Sequence, residues 1–399
     1  MNKSIKIPLT MEFLTPLHIG SGKTLRFGQD VFRSKDGDLF VISFDRLLEE
    51  FSKDKRLFAQ ITDALSRGEG VERLIPKERL EKFKVYELVD VSTAYATDVS
   101  GFIKDAHSRP FVPASSIKGG LRTLIFRAFL TDHPEFVKKF EDSLPRGRIR
   151  EEDRKRIKQR ALSFEEDIFG RNAQKDPLKA LRVVDAYFDG LVLATVKVLD
   201  LSNDGSQCGW RKAAGKFGKL ESIDRATPIN VEVGFASSVQ AELYIDTFFV
   251  ERFTTNLFKV SKPKWFTALF NDFYEKLADY SKKFALYDID YEIDFLNEYA
   301  SRCNITDVIK KYKALKEHVK SEDGIFMHIA WGIGWRGMGG SILSDESALT
   351  LAHSLGLDRH KNADIFPKTR RYITVNSKEE GEQAKFPLGW VKFSKGGEK

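Results

Sequence analysis

From Ile5 to Phe13, apolar residues stand at every second position (Ile5, Ile7, Leu9, Met11, Phe13), the period of a strand buried on one face. The pattern stops at Pro16 and gives way to a glycine-rich stretch, LHIGSGKTLRFGQD. A further extended run, LFVIS, leads into a helix predicted to start near Asp45, and residues 45–90 read as mostly helical and charged. RPFVPASS delivers the chain to the clearest helix start, with Ser115 or Ser116 as the expected N-cap. Ile117, Leu121, Leu124, Ile125, Ala128 and Phe129 then share one face that should pack on a sheet.

Asp189-Gly190 between two apolar runs, LRVVDAYF and LVLATVKVLD, predicts a two-residue hairpin turn. A second strand pair is expected in INVEVGFASSVQAELYID. Residues 263–319 carry helical spacing and predict a subdomain of several short helices. Extended character returns in IFMHIAWGIGW, FPKTRRYITV and FPLGWVKF. Strands broken by separated helices, without regular alternation, imply an α+β fold, with an RNA-recognition (ferredoxin-like) sheet as its natural form.

Composition narrows the picture. With 399 residues, 42% hydrophobic and 32 of them Phe, the chain can bury a large core. A formal charge of +7 on a surface rich in both signs is compatible with nucleic acid without requiring it. The largest local excess of basic residues runs from Arg146 to Arg160, and a solvated helix face accounts for it as well as phosphate contact does. Glu12 interrupts what a signal peptide would need, and no apolar run reaches membrane-spanning length. Two distant cysteines, Cys208 and Cys303, argue against a disulfide framework and a zinc site, so a reducing cytoplasm is expected.

Candidate chemistry lies in the glycine-rich and basic segments. GSGKT at Gly20–Thr24 fails as a P-loop, because Leu17 occupies the position of the leading glycine. A glycine loop after a strand still offers backbone N–H groups to phosphate, with His18 and Lys23 flanking Gly20 and Gly22. In PASSIKGGLR, Gly119 and Gly120 each cost a helix about 1 kcal/mol relative to alanine. Either tight packing or a phosphate held beside Ser115, Ser116, Lys118 and Arg122 would compensate. Near the C-terminus Arg336 lies in a glycine-rich turn. FPKTRRY interleaves Lys368, Arg370 and Arg371 with two aromatic residues, a mixture suited to single-stranded RNA. The histidines, including His318, His328, His353 and His360, show no metal-ligand spacing, and no GxSxG elbow is present; no cofactor or metal is indicated.

Taken together, TPLHIGSG, PASSIKGGLR, LRVVDA, GIGWRG, FPKTRRY and FPLGW resemble the RAMP superfamily of CRISPR proteins. The two C-terminal motifs are similar to the fifth subunit of the Csm complex, the type III-A CRISPR effector. The resemblance implies one decorated RAMP core over residues 1–399, with helical insertions at about 45–90 and 263–319. It implies a non-catalytic, crRNA-binding subunit that caps the crRNA near its 3′ end within a complex of related subunits, and a link to maturation of that end. Ala114 stands where the family commonly has glycine. Asp30 resembles the position of a target-cleaving aspartate in the sister backbone subunit, which leaves a metal-dependent ribonuclease as one rival. A protein-binding adaptor that recruits a host nuclease is another.

Overall fold

The computed structural model describes residues 4–144, 151–214, 218–235, 238–255, 258, 260–357 and 363–396. Residues 146–150 of the basic stretch, and His360, lie outside them.

The alternating N-terminal segment forms β1 (Ser4–Phe13), with Leu9 and Met11 fully buried. After β2 (Gly20–Arg26), β3 (Val31–Arg33) and β4 (Leu39–Ile42), Ser43 caps α1 (Phe44–Phe51), its hydroxyl accepting from the Arg46 N–H. Helices α2 (Lys55–Ser66) and α3 (Lys77–Leu80) follow. They bury Leu47, Phe51, Ile61 and Leu80 against Phe32 and Phe40 in a small core of their own. The region expected to be helical to residue 90 ends instead in a strand, β5 (Lys84–Asp90), inserted between β4 and a strand far downstream. Charged flanks hid it, since only Tyr86, Leu88 and Asp90 turn inward.

Next come β6 (Asp98–Phe102), β7 (Phe111–Val112) and α4 (Ala114–Asp132), whose predicted apolar face is buried at every named position. Helices α5 (Pro134–Glu141) and α6 (Glu151–Phe169) precede β8 (Leu181–Val183), β9 (Ala186–Tyr187) and β10 (Leu191–Leu201). Strands β11 (Cys208–Lys212), β12 (Lys219–Glu221), β13 (Ile229–Gly234) and β14 (Val239–Asp246) lead to α7 (Thr247–Val250) and α8 (Pro263–Asn271). In place of several short helices, α9 (Phe273–Tyr299) is one rod of 27 residues, followed by α10 (Thr306–Ser321). The chain closes with β15 (Ile325–His328), α11 (Gly334–Gly337), α12 (Asp345–Leu355), β16 (Arg370–Ser377), β17 (Gly381–Phe386) and β18 (Trp390–Lys395).

Two sheets organise these elements. The five-stranded sheet has the order β15-β18-β1-β14-β8, and every pairing in it is antiparallel. Without the edge strand β15, its path β1–α4–β8–β14–α9–β18 gives the order 4-1-3-2 of a ferredoxin-like unit. Leu9, Met11, Leu243 and Val391 of this sheet share one core with Leu121 and Ile125 of α4 and Leu277 of α9. The larger mixed sheet runs β2-β6-β13-β10-β5-β4-β3, with β11-β12 and β16-β17 attached to β10. The protein is thus α+β, as its pattern implies.

Three local expectations are corrected. Gly190 does adopt a positive φ of 81°, but β10 leaves it for the larger sheet while β8 and β9 pair with β14 and β7. The turn changes sheet and makes no hairpin. Likewise β13 and β14 belong to different sheets. The cysteines, 95 residues apart, form a disulfide between β11 and the loop after α9, where Trp210 Nε1 also donates to the Cys303 carbonyl at 3.0 Å. Sequence distance concealed a contact that the β10–β11 hairpin creates by folding onto α9.

Candidate functional site

The motifs converge in two adjoining places. At the first, α4 begins against the LRVVDA segment. Ser115 and Ser116 do not cap the helix: Pro113 occupies the N-cap, both serines lie within the first turn, and Asp185 Oδ1 accepts the Ala114 N–H at 2.6 Å. A carboxylate supplied by another segment replaces the local hydroxyl. Ala114 simply opens the helix, so no left-handed glycine is needed there. Lys118 Nζ donates to the Leu181 carbonyl at 2.7 Å, and burial pulls its pKa below the ordinary lysine value. Arg122 is held by Glu165 at 2.7 Å and by Asp176, with its guanidinium 4.0 Å from the Phe169 ring centre.

The two glycines separate in role. A Cβ on Gly120 would stand 2.7 Å from Ile329 Cγ2 and 3.3 Å from Met327 Sδ, so this glycine lets α4 close on the sheet. At Gly119 nothing lies within 4 Å, and the residue is exposed. Packing explains Gly120 only.

At the second place, TPLHIGSG meets the C-terminal motifs. Trp390 N–H donates to Thr15 Oγ1 at 2.8 Å, Gly389 N–H to the Pro16 carbonyl at 2.8 Å and Trp331 N–H to the His18 carbonyl at 3.1 Å. Gly389, at φ 87°, would bring a Cβ within 2.3 Å of the Ile329 carbonyl oxygen. Only glycine permits this crossing. His18 is buried: Nδ1 donates to the Glu232 carbonyl at 2.7 Å and Nε2 faces Ser100 Oγ at 3.3 Å. Burial holds its pKa below the usual imidazole value, so it orders the junction as a neutral ring.

Gly20 and Gly22 belong to β2 rather than to an open loop; the register against β6 shifts between Gly20 and Thr24, and Gly22 takes a φ of 77°. This irregularity leaves Lys23 exposed at the rim of a cleft of about 560 Å³ shared with Asp30, Arg46, Tyr86, Lys104 and His107. Lys104 pairs with Glu232, which is fully buried and also accepts from Tyr86 Oη and the Phe102 N–H, each at 2.7 Å. Asp30 Oδ2 accepts the Arg26 N–H at 2.9 Å, closing the turn after β2, and burial raises its pKa. No cluster of three or more metal-ligating side chains occurs among the described residues. Arg46, Tyr86, Lys104 and His107 were not singled out from the sequence, where they are scattered over two segments without a common motif.

The other predicted cations are engaged by the protein. Arg336 is buried, donates to Asp345 Oδ1 at 2.8 Å and stacks 3.7 Å from the Tyr291 ring centre. Lys368 Nζ donates to the Leu201 carbonyl at 2.9 Å and to Asn203 Oδ1 at 3.1 Å. Arg370 donates to Glu292 at 2.6 Å and lies 3.9 Å from the Phe295 ring centre. Arg371 is exposed, its guanidinium 5.2 Å from the Trp331 ring centre. Among the described residues no helix is long and apolar enough to cross a membrane.

A family model described as the RAMP superfamily matches residues 10–335, and the chain belongs to that superfamily. Over almost its whole length the fold is similar to two solved structures. One is a chain of a Csm–crRNA–target RNA ternary complex of a type III-A CRISPR-Cas system, at TM-score 0.67 and 21% identity, covering 98% of this chain and 100% of the other. The second is T. onnurineus Csm5, at TM-score 0.61 and 19% identity, covering 96% and 99%. At these identities the likeness is one of fold. No curated protein matches the chain.

Proposed function

We propose that the protein is a non-catalytic, RNA-binding RAMP subunit of a type III-A CRISPR (Csm) ribonucleoprotein, capping the crRNA near its 3′ end and supporting maturation of that end. The observation that carries this reading is the extent of the structural match. A chain from a crRNA-bound Csm complex is covered over 100% of its length, so the match takes in the insertions as well as the ferredoxin-like unit. The other Csm subunits and crRNA are then its partners, and a host nuclease is a further partner for the maturation step.

Contact with RNA falls in this reading to groups at the surface: Lys23 on the irregular β2, Ser115 and the open Gly119 on α4, and Arg371 beside Trp331. Lys118, Arg122, Arg336, Lys368 and Arg370 shape the elements that carry them. Asp30 serves the turn after β2.

The test is purification of the tagged protein from its native host at moderate salt, with sequencing of bound RNA and identification of bound proteins. Recovery of short crRNAs with related subunits supports the reading, and an RNA-free, partner-free monomer overturns it. Affinity for RNA should also fall steeply with salt, because bound phosphates release counterions.

A further inference from the structure

Where β13 ends and β17 meets α10, aromatic rings come to the surface of the larger sheet. Phe235, just past β13, is 46% exposed, and its ring meets the half-buried Phe386 edge-on with centres 6.1 Å apart. Trp331 and Phe386 pack on the same small core of Val231, Val233 and Ile373. The place adjoins the crossing of the motifs. Gly234 exchanges backbone hydrogen bonds of 2.8 and 3.1 Å with Leu17, and the Trp331 N–H donates to the carbonyl of the next residue, His18.

Cations gather on these rings. Lys311 Nζ of α10 lies 5.0 Å from the Phe386 ring centre and Lys385 Nζ 6.0 Å from it, while the exposed Arg371 places its guanidinium over Trp331. Along α10, Lys310, Lys316 and Lys320 pair with Asp307, Asp290 and Glu317. Lys311 does not, and neither it nor Lys385 has an ion pair or hydrogen bond among the described residues. Like charges that converge on one ring without a carboxylate leave a positive potential for a polyanion to meet. The ligand that suits such a surface joins anionic groups to flat apolar ones. Single-stranded RNA carries both on one chain, in bases that stack on exposed rings and phosphates that pair with cations. An acidic peptide answers the cations but brings no regular succession of flat rings.

We propose that this surface binds single-stranded RNA, with a base stacked on Phe235, against which Phe386 rests edge-on, and the flanking phosphates on Lys311 and Lys385. The inference rests on the RNA-binding reading. It extends the contact surface from Arg371 and Trp331 across the paired strands β16 and β17 to α10, where the sequence carries no nucleic-acid motif.

The test measures binding of the full-length protein to a ten-nucleotide oligouridylate and to an abasic ribose-phosphate strand of equal length, by fluorescence anisotropy across a salt series. Phe235→Ala should weaken binding of the oligouridylate on the order of tenfold and leave the abasic strand unchanged, because only a base meets the ring. Lys311→Gln and Lys385→Gln should weaken both strands alike, each lowering the slope of log affinity against log salt by about 0.7. Should the alanine variant unfold, Phe235→Leu, which keeps an apolar side chain and removes the flat ring, carries the same expectation. Folded variants that bind both strands as the unmodified protein does overturn this surface and leave RNA binding intact. A decaglutamate probe that binds more tightly than the oligouridylate, and is lost in the lysine variants, gives the surface to an acidic protein partner and also overturns the proposal. Failure of the unmodified protein to bind either strand overturns the RNA-binding reading and this surface with it.

Discussion

Asp185 caps the N-terminus of α4 across 71 residues of sequence, its Oδ1 accepting the Ala114 N–H at 2.6 Å. The same segment receives Lys118 through the Leu181 carbonyl, so the PASSIKGGLR helix and the LRVVDA strand are fastened together at two points. An N-cap carboxylate contributes about 1 kcal/mol. Asp185→Ala should therefore lower unfolding stability by about 1–2 kcal/mol in urea titration. Ser115→Ala and Ser116→Ala, whose side chains make no cap bond, should stay within about 0.5 kcal/mol.

That pairing marks the boundary of what the sequence makes legible. Periodicity reports which face of one element is buried, so β1 and the apolar face of α4 were readable from Leu9, Met11, Leu121 and Ile125 alone. Glycine and proline clusters likewise located the loops of the C-terminal motifs. Partners brought together by the fold leave no local trace. Arg122 reads as a phosphate ligand until Glu165 and Asp176 arrive from 43 and 54 residues away. The strand β5 is hidden among charges because its neighbours β4 and β10 lie on either side of it in space, one of them far along the chain. The superfamily was legible because its motifs occupy the crossings that demand particular residues, such as Gly389 over the Ile329 carbonyl and Gly120 against Ile329.

Acid should destabilise the fold through His328. Its ring stacks on Trp390 with centres 4.8 Å apart and its Nε2 donates to the Leu388 carbonyl at 2.8 Å. Burial lowers its pKa to about 4 from an ordinary 6.5. Between those values the unfolded chain binds a proton that the folded chain refuses. The neutral ring's contribution is therefore complete above pH 6.5 and is lost as pH falls toward 4, by at most about 1.4 kcal/mol per pH unit from this one site. Guanidinium titrations at pH 7, 6 and 5 should show the decline. His328→Gln should flatten it relative to the unmodified protein, although carboxylates that titrate in both proteins leave a residual slope. An identical pH profile in the two would contradict the assignment.

The Cys208–Cys303 bridge ties the β10–β11 hairpin to the end of α9 and closes a loop spanning 95 residues. Loop-closure entropy alone puts the stabilisation from a cross-link of that length at roughly 4–5 kcal/mol, with engineered cases often giving less. The melting temperature should fall on adding a reductant. Cys208→Ser should melt near the reduced protein and be insensitive to reductant. Trp210, whose Nε1 donates to the Cys303 carbonyl, should keep the hairpin docked in both cases, so the loss is expected in melting temperature and not in the native circular dichroism spectrum.

Gly119 and Gly120 are neighbours on one helix, and their alanine variants should move in opposite directions. At Gly120 the added methyl meets Ile329 Cγ2 at 2.7 Å on the sheet that α4 packs against, so Gly120→Ala should cost about 1–3 kcal/mol through overpacking. At Gly119 it meets nothing, and the gain in helix propensity should stabilise the protein by about 0.5–1 kcal/mol. The stabilised variant is the informative one for function. If the open backbone at Gly119 approaches RNA phosphate, Gly119→Ala should bind RNA more weakly while unfolding at higher denaturant, a combination that packing alone does not produce. Unchanged affinity together with raised stability would remove Gly119 from the RNA-contacting surface and leave Lys23, Ser115 and Arg371 to carry it.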